Sequence, residues 1–297
     1  MMDGILVICK EQGFTSHDVV ARLRRILHIK KIGHTGTLDP MATGVLPTAV
    51  GRGTALCSML TEKRKTYRAV MHLGITTDTQ DRTGNIISEK PVCVTEERIL
   101  EAVRSFEGDQ MQVPPMYSAI KVNGKKLYEL AREGKSIERT PRPVTFYSIC
   151  VTDISLPLVT MTVECSKGTY IRTLCNDIGE LLGCGGMMEE LTRTASGEFT
   201  LDDAHTLSEV EEAFNNGRID EFIIPVEAVL GIYPEVRAKE KAEKLLRNGN
   251  PVNENLISGN ADGLPEGTVR MYLHDGTFIG LYSRDKERHM FRAAKMF

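Results

Sequence analysis

Gly33-His34-Thr35-Gly36-Thr37-Leu38-Asp39-Pro40-Met41-Ala42-Thr43-Gly44-Val45-Leu46-Pro47 decides how the rest of the chain is read. Three glycines, two prolines and three threonines in fifteen residues resist a continuous helix or strand, because glycine lacks a Cβ and proline an N–H. The stretch reads as a shaped loop around one acid, Asp39, with Pro40 fixing the next φ. No Lys or Arg falls between Lys31 and Arg52 to pair with that acid locally. An isolated Asp-Pro commonly just opens a turn. Here the density of backbone-restricting residues around one ionisable group points to chemistry. A Walker loop would need Gly-Lys-Ser/Thr after its spacer, and none follows Gly33 or Gly36. An aspartyl-phosphate motif would need its acid where Gly33 stands. A dinucleotide fingerprint starting at Gly51-Arg52-Gly53 meets Leu56 instead of its third glycine.

The bulk numbers bound the answer. The 297 residues suffice for one large domain plus a small one. No apolar run approaches a membrane span and no signal-peptide pattern opens the chain, so a cytoplasmic protein is expected. Seven cysteines without a Cys-x-x-Cys pair, and histidines without ligand spacing, predict reduced thiols and no metal. The net charge of −3 hides an uneven distribution. Residues 1 to 72 carry eleven Lys/Arg against five Asp/Glu, whereas residues 201 to 230 carry one against eight. A phosphate-binding face is compatible with a chain that is acidic overall.

Gly-His-Thr-Gly-Thr-Leu-Asp-Pro followed by Ala-Thr-Gly-Val-Leu resembles the catalytic motif of the bacterial tRNA pseudouridine-55 synthases. A second match is Lys167-Gly168-Thr169-Tyr170-Ile171-Arg172, a third Lys121 to Gly134, and Thr77 to Gly84 follows the family's polar turn. The resemblance implies that Asp39 is the essential aspartate, Arg172 its guanidinium partner in two-point geometry, and Tyr67 a ring that stacks on uridine and assists proton removal. It also implies that His34 enters the RNA loop, that Tyr170 and Leu191 line the base pocket, and that Lys10 lies nearby. Where the family reads Lys-Pro, this chain has Lys10-Glu11. The basic insertion at about 111–143 would close on the T stem-loop of tRNA, the partner expected of a monomer with no membrane contact. No cofactor is implied.

The fold expected is α+β: a mixed, largely antiparallel central sheet flanked by helices over residues 1–232, and a small β-rich PUA-like RNA-binding domain over 233–297. Local patterns predict a strand over Gly4 to Lys10, a capped helix over Asp18 to His28, and a helix over Thr95 to Phe106 with Ile99, Leu100 and Val103 inward. Two strands are expected over Val144 to Glu164, a helix over Val236 to Arg247, and a hairpin at Asp275-Gly276. The rival reading is a non-catalytic RNA-binding or tRNA-folding protein that uses the same basic surfaces.

Overall fold

The computed structural model of the protein describes residues 2–122, 124–135, 137–259, 263 and 265–297. Gly4–Lys10 is apolar and almost wholly buried, and it lies inside a ten-stranded sheet. From one edge to the other the order is Ile223–Pro225, Gly4–Lys10, Thr43–Val50, Gly186–Ser196, Lys65–Leu73, Leu158–Cys165, Arg142–Ser155 and Gly108–Gln112. Ile32–His34 adds beside Thr43–Val50, and Phe199–Thr200 beside Gly186–Ser196. These neighbours run antiparallel except at one seam, where Thr192 faces Thr43 and Arg193 faces Gly44 in parallel. That seam carries the Asp39 loop.

The fifteen-residue loop is shorter than its composition suggested. Both ends are strand, since Ile32–His34 and Thr43–Val50 pair with each other, and only residues 35–42 are irregular. Gly44 can sit in a strand at φ +99° because no side chain fits there; a Cβ would lie 2.2 Å from the Arg193 carbonyl oxygen. Pro47 gives up a donor but keeps its acceptor, taking the Thr35 N–H at 3.1 Å.

The first helix, Ser16–Leu27, starts in a capping box of Thr15 and Asp18 and stops at His28 in the left-handed region. Val19, Val20, Leu23, Ile26 and Leu27 face the core, and Leu207–Asn215 packs on its flank. Helices Glu96–Arg104 and Ile171–Leu182 pack against each other, and both contribute to the main core. In Glu96–Arg104 the inward set is Ile99, Ala102 and Val103, so Ala102 takes the place expected of Leu100.

The C-terminal part is a five-stranded sheet in the order Glu235–Arg237, Thr268–Tyr272, Phe278–Asp285, Met290–Met296, Val252–Asn253. Its core is its own, built around Val236, Leu246, Val269, Met271, Tyr282 and Phe291. The helix expected over Val236 to Arg247 is only Glu243–Arg247. Exposed Glu235, buried Val236, exposed Arg237 and buried Ala238 alternate with a strand's period of two, and Val236 pairs with Met271. The hairpin at Asp275-Gly276 is present, with Gly276 at φ +89°. A third apolar cluster joins Leu281, Phe278 and Phe297 to Leu56, Leu60, Val226, Val229 and Leu230 of the larger part.

Candidate active site

Three anchors fix the backbone around Asp39. Before it, Leu38 is buried and its N–H donates to Ser16 Oγ at 2.8 Å. After it, the Pro40 carbonyl accepts from the Gly13 N–H at 2.9 Å and from Lys10 Nζ at 3.1 Å. Across the turn, the Ala42 N–H returns to the Asp39 carbonyl at 3.1 Å. The Asp39 side chain itself stays 38% exposed, open to a ligand while its main chain is held.

Arg172 enters from the first turn of helix Ile171–Leu182. The residue before that helix, Tyr170, is gripped by Gln112, which accepts its N–H at 2.8 Å and donates to its carbonyl at 3.0 Å. Arg172 Nη2 lies 3.4 Å from Asp39 Oδ2, and Nη1 lies 3.3 Å from Asp81 Oδ2. The same Nη2 donates to the Tyr117 carbonyl at 2.5 Å. The expected two-point clasp of one carboxylate is therefore replaced by a fork divided between two. Asp81 can hold its half because its other oxygen is fixed by the Thr83 N–H at 2.9 Å and by the hydroxyls of Thr79 and Thr83 at 2.8 and 2.6 Å.

Tyr67 and Leu191 lie nearly buried on adjacent strands, with exposures of 8% and 9%. Burial pushes the Tyr67 phenol above its usual range, the Arg193 charge opposes that, and Cys165 and Asp39 add to it. In the free protein the phenol is thus protonated at neutral pH. Tyr170 is half-buried, with its ring centroid 5.9 Å from the Arg172 guanidinium carbon, and burial raises its phenol too. His34 is half-buried and its Nδ1 accepts the Gly36 N–H at 3.4 Å. Burial, then the charges of Arg193 and His17, lower its pKa and leave it neutral at pH 7.

Lys10 is near the site yet almost completely buried. Its ammonium donates to the carbonyls of Glu11, Phe14 and Pro40 at 3.0, 2.6 and 3.1 Å. Burial pulls its pKa down to about 8, against the pull of Asp39 in the other direction. Lys10 thus ties the Gly13 turn to the Asp39 loop.

Sequence reasoning passed over Asp81, read as part of a structural turn, and two groups that line or brace the site: Arg193 and Gln112. Arg193 carried a signal. It stands two residues from inward-facing Leu191 in a strand, so it has the buried phase. Asp81 and Gln112 had none, because their partners are 91 and 58 residues away in sequence.

In the basic insertion, helix Leu127–Arg132 is tied to the preceding segment by the Tyr128 N–H donating to the Ser118 carbonyl at 3.1 Å. Lys125 and Lys135 both pair with Glu133, so part of the expected positive surface is neutralised internally. Asn123 and Ser136, and the side chains of Lys121, Lys126 and Arg132, lie outside the described residues. Among the described residues no helix is long and apolar enough to cross a membrane.

A mixed sheet thus presents an acid from a loop beside a guanidinium, with a tyrosine and a leucine nearly buried on adjacent strands. Residues 24–171 match the profile described as TruB family pseudouridylate synthase (N terminal domain), and residues 172–231 that of the tRNA pseudouridylate synthase B C-terminal domain. The chain is 45% identical over 296 residues to tRNA pseudouridine synthase B of Clostridium kluyveri, covering 100% of both chains. With the protein of the same name from Geobacter sulfurreducens it shares 45% over 293 residues, 96% of each. A solved H/ACA RNP bound to a substrate RNA containing 2′-deoxyuridine includes a chain 26% identical with a TM-score of 0.73, covering 100% of this chain and 85% of that one. A Cbf5-Nop10-Gar1 complex gives 29% and 0.73, covering 100% and 84%. The chain belongs to the TruB family.

Proposed function

We propose that the protein isomerises uridine 55 in the T loop of tRNA to pseudouridine, with Asp39 as the nucleophile. The reaction breaks the C1′–N1 glycosidic bond, turns the freed base and rejoins it through C5, leaving composition and oxidation state unchanged. A carboxylate suits this work because it can form a covalent adduct and then leave. Attack at C6 of the ring and attack at C1′ of the ribose both use the same acid. The observation that carries the reading is the half-open Asp39 carboxylate, 3.4 Å from buried Arg172 and close enough to Tyr67 and Tyr170 for its charge to act on both phenols.

Tyr67 then offers a ring to the base, Leu191 and Tyr170 wall the pocket, and Arg172 orients the acid. His34, neutral, fills the space that the extracted base leaves; unstacking costs roughly a few kcal/mol, which contacts to phosphate offset. The basic insertion and the C-terminal sheet, read as a PUA-like unit over 233–297, extend the RNA surface of a cytoplasmic monomer. The test uses tRNA transcript tritiated at uridine C5. The intact protein should release tritium and Asp39→Asn should not. Equal release from both removes Asp39 from its role, and release from neither favours an RNA-binding protein without catalysis.

A further inference from the structure

Among the described residues Arg193 is the largest fully buried side chain, at 1% exposure. Burying a charge is costly unless it is paired. Yet among the described residues it pairs with no carboxylate: Nε donates to the Val45 carbonyl at 2.7 Å, Nη2 to that of Gly36 at 3.2 Å and Nη1 to that of Thr37 at 3.5 Å, and its guanidinium also hydrogen-bonds the Tyr67 phenol. Two of these carbonyls belong to the loop just before Leu38 and Asp39. The third lies on the strand just after it. One planar fork thus spans the chain entering and the chain leaving the loop, and a lysine, with a single nitrogen, could not reproduce that span.

The main chain beneath Arg193 is built for this placement. Arg193 faces Gly44 across the parallel seam, where no Cβ fits, and faces Tyr67 on its other side in the antiparallel register. Its charge also reaches Tyr67, His34, Lys10 and Lys65, whose titration each feels it.

We propose that Arg193 is a positioning residue for the isomerisation, setting the distance between the Asp39 loop and Tyr67 by bridging the Gly36–Thr37 and Val45 carbonyls. The inference rests on the functional reading above. It predicts a loss in the chemical step rather than in RNA capture, because the fork faces the protein and leaves the RNA surface unchanged. A misplacement of about 1 Å at a reacting group can cost about 10²-fold in rate.

The experiment measures C5-tritium release and tRNA binding by the full chain for wild type, Arg193→Lys and Arg193→Met, with 3-fluorotyrosine placed at position 67 for a fluorine NMR titration. Arg193→Lys should lower kcat about 10²-fold and leave tRNA affinity within about twofold. The fluorophenol should titrate at higher pH in Arg193→Met than in wild type, with Asp39 and Cys165 still acting on it. Unchanged kcat in Arg193→Lys, or a Tyr67 titration that does not move in Arg193→Met, overturns the proposal. If Arg193→Met does not fold, the lysine variant decides through its kcat. If wild type releases no tritium, the functional reading fails, and the fluorine titration still decides whether Arg193 acts on Tyr67.

Discussion

Replacing Asp81 by Asn keeps the side chain's shape and removes its charge from the divided fork of Arg172. The pair is buried, with side-chain exposures of 6% for Arg172 and 12% for Asp81, so solvent does little to compensate. Breaking a buried ion pair outright costs about 3–5 kcal/mol. Arg172 would still hold Asp39 at 3.4 Å and the Tyr117 carbonyl at 2.5 Å, so about 1–3 kcal/mol is the expected loss here. In stability, at about 2–4 °C per kcal/mol for a chain of this size, that is a Tm lower by about 2–12 °C. In activity the effect is separate. Freed from Asp81, the guanidinium can swing wholly onto Asp39, which pulls the acid from its place and lowers kcat by about 10–10²-fold. Calorimetry reads the first quantity and single-turnover tritium release the second. A variant that melts earlier but turns over at the wild-type rate would refute the idea that the division of the fork matters to chemistry.

Gly44→Ala should be destabilising well beyond an ordinary surface change: φ +99° costs about 1–3 kcal/mol for a residue with a side chain, and the new Cβ would meet Arg193 backbone at 2.2 Å. Denaturant titration checks it, and a midpoint equal to wild type would contradict the seam. Leu191→Ala should cost about 2–5 kcal/mol, measured in the same way, since the leucine is 9% exposed within the main core. Lys10 has its folded pKa lowered to about 8 from 10.5, so between these values the unfolded chain binds more protons and stability contributed by this site rises with pH. Comparing Tm at pH 8 and pH 9, the Lys10→Met variant should show a smaller rise, or a larger fall, than wild type; identical slopes would place the Lys10 titration elsewhere.

Motifs within a few residues of one another were legible in the sequence. A cap at Thr15 or Ser16, the apolar face of the helix that follows, the Asp275-Gly276 hairpin and the fixed acid between Leu38 and Pro40 follow from local propensity and from side chains three or four residues apart; the reciprocal bond from Asp18 and the helix start at Ser16 came with the structure. The family was legible for the same reason, because its signatures are contiguous. Strand against loop at Gly44–Pro47 was not, since glycine and proline read as breakers until a partner strand supplies the bonds they lack. Strand against helix at Val236 likewise depended on Met271 being there to pair with. The tertiary structure alone decided that Arg172 divides its fork, that Lys10 and Lys65 spend their charge on carbonyls, and that Arg193 braces the Asp39 loop. Each of those facts joins side chains or carbonyls whose meeting is set by the order of strands in the sheet, and strand order is a property of the folded chain that no local window of sequence encodes.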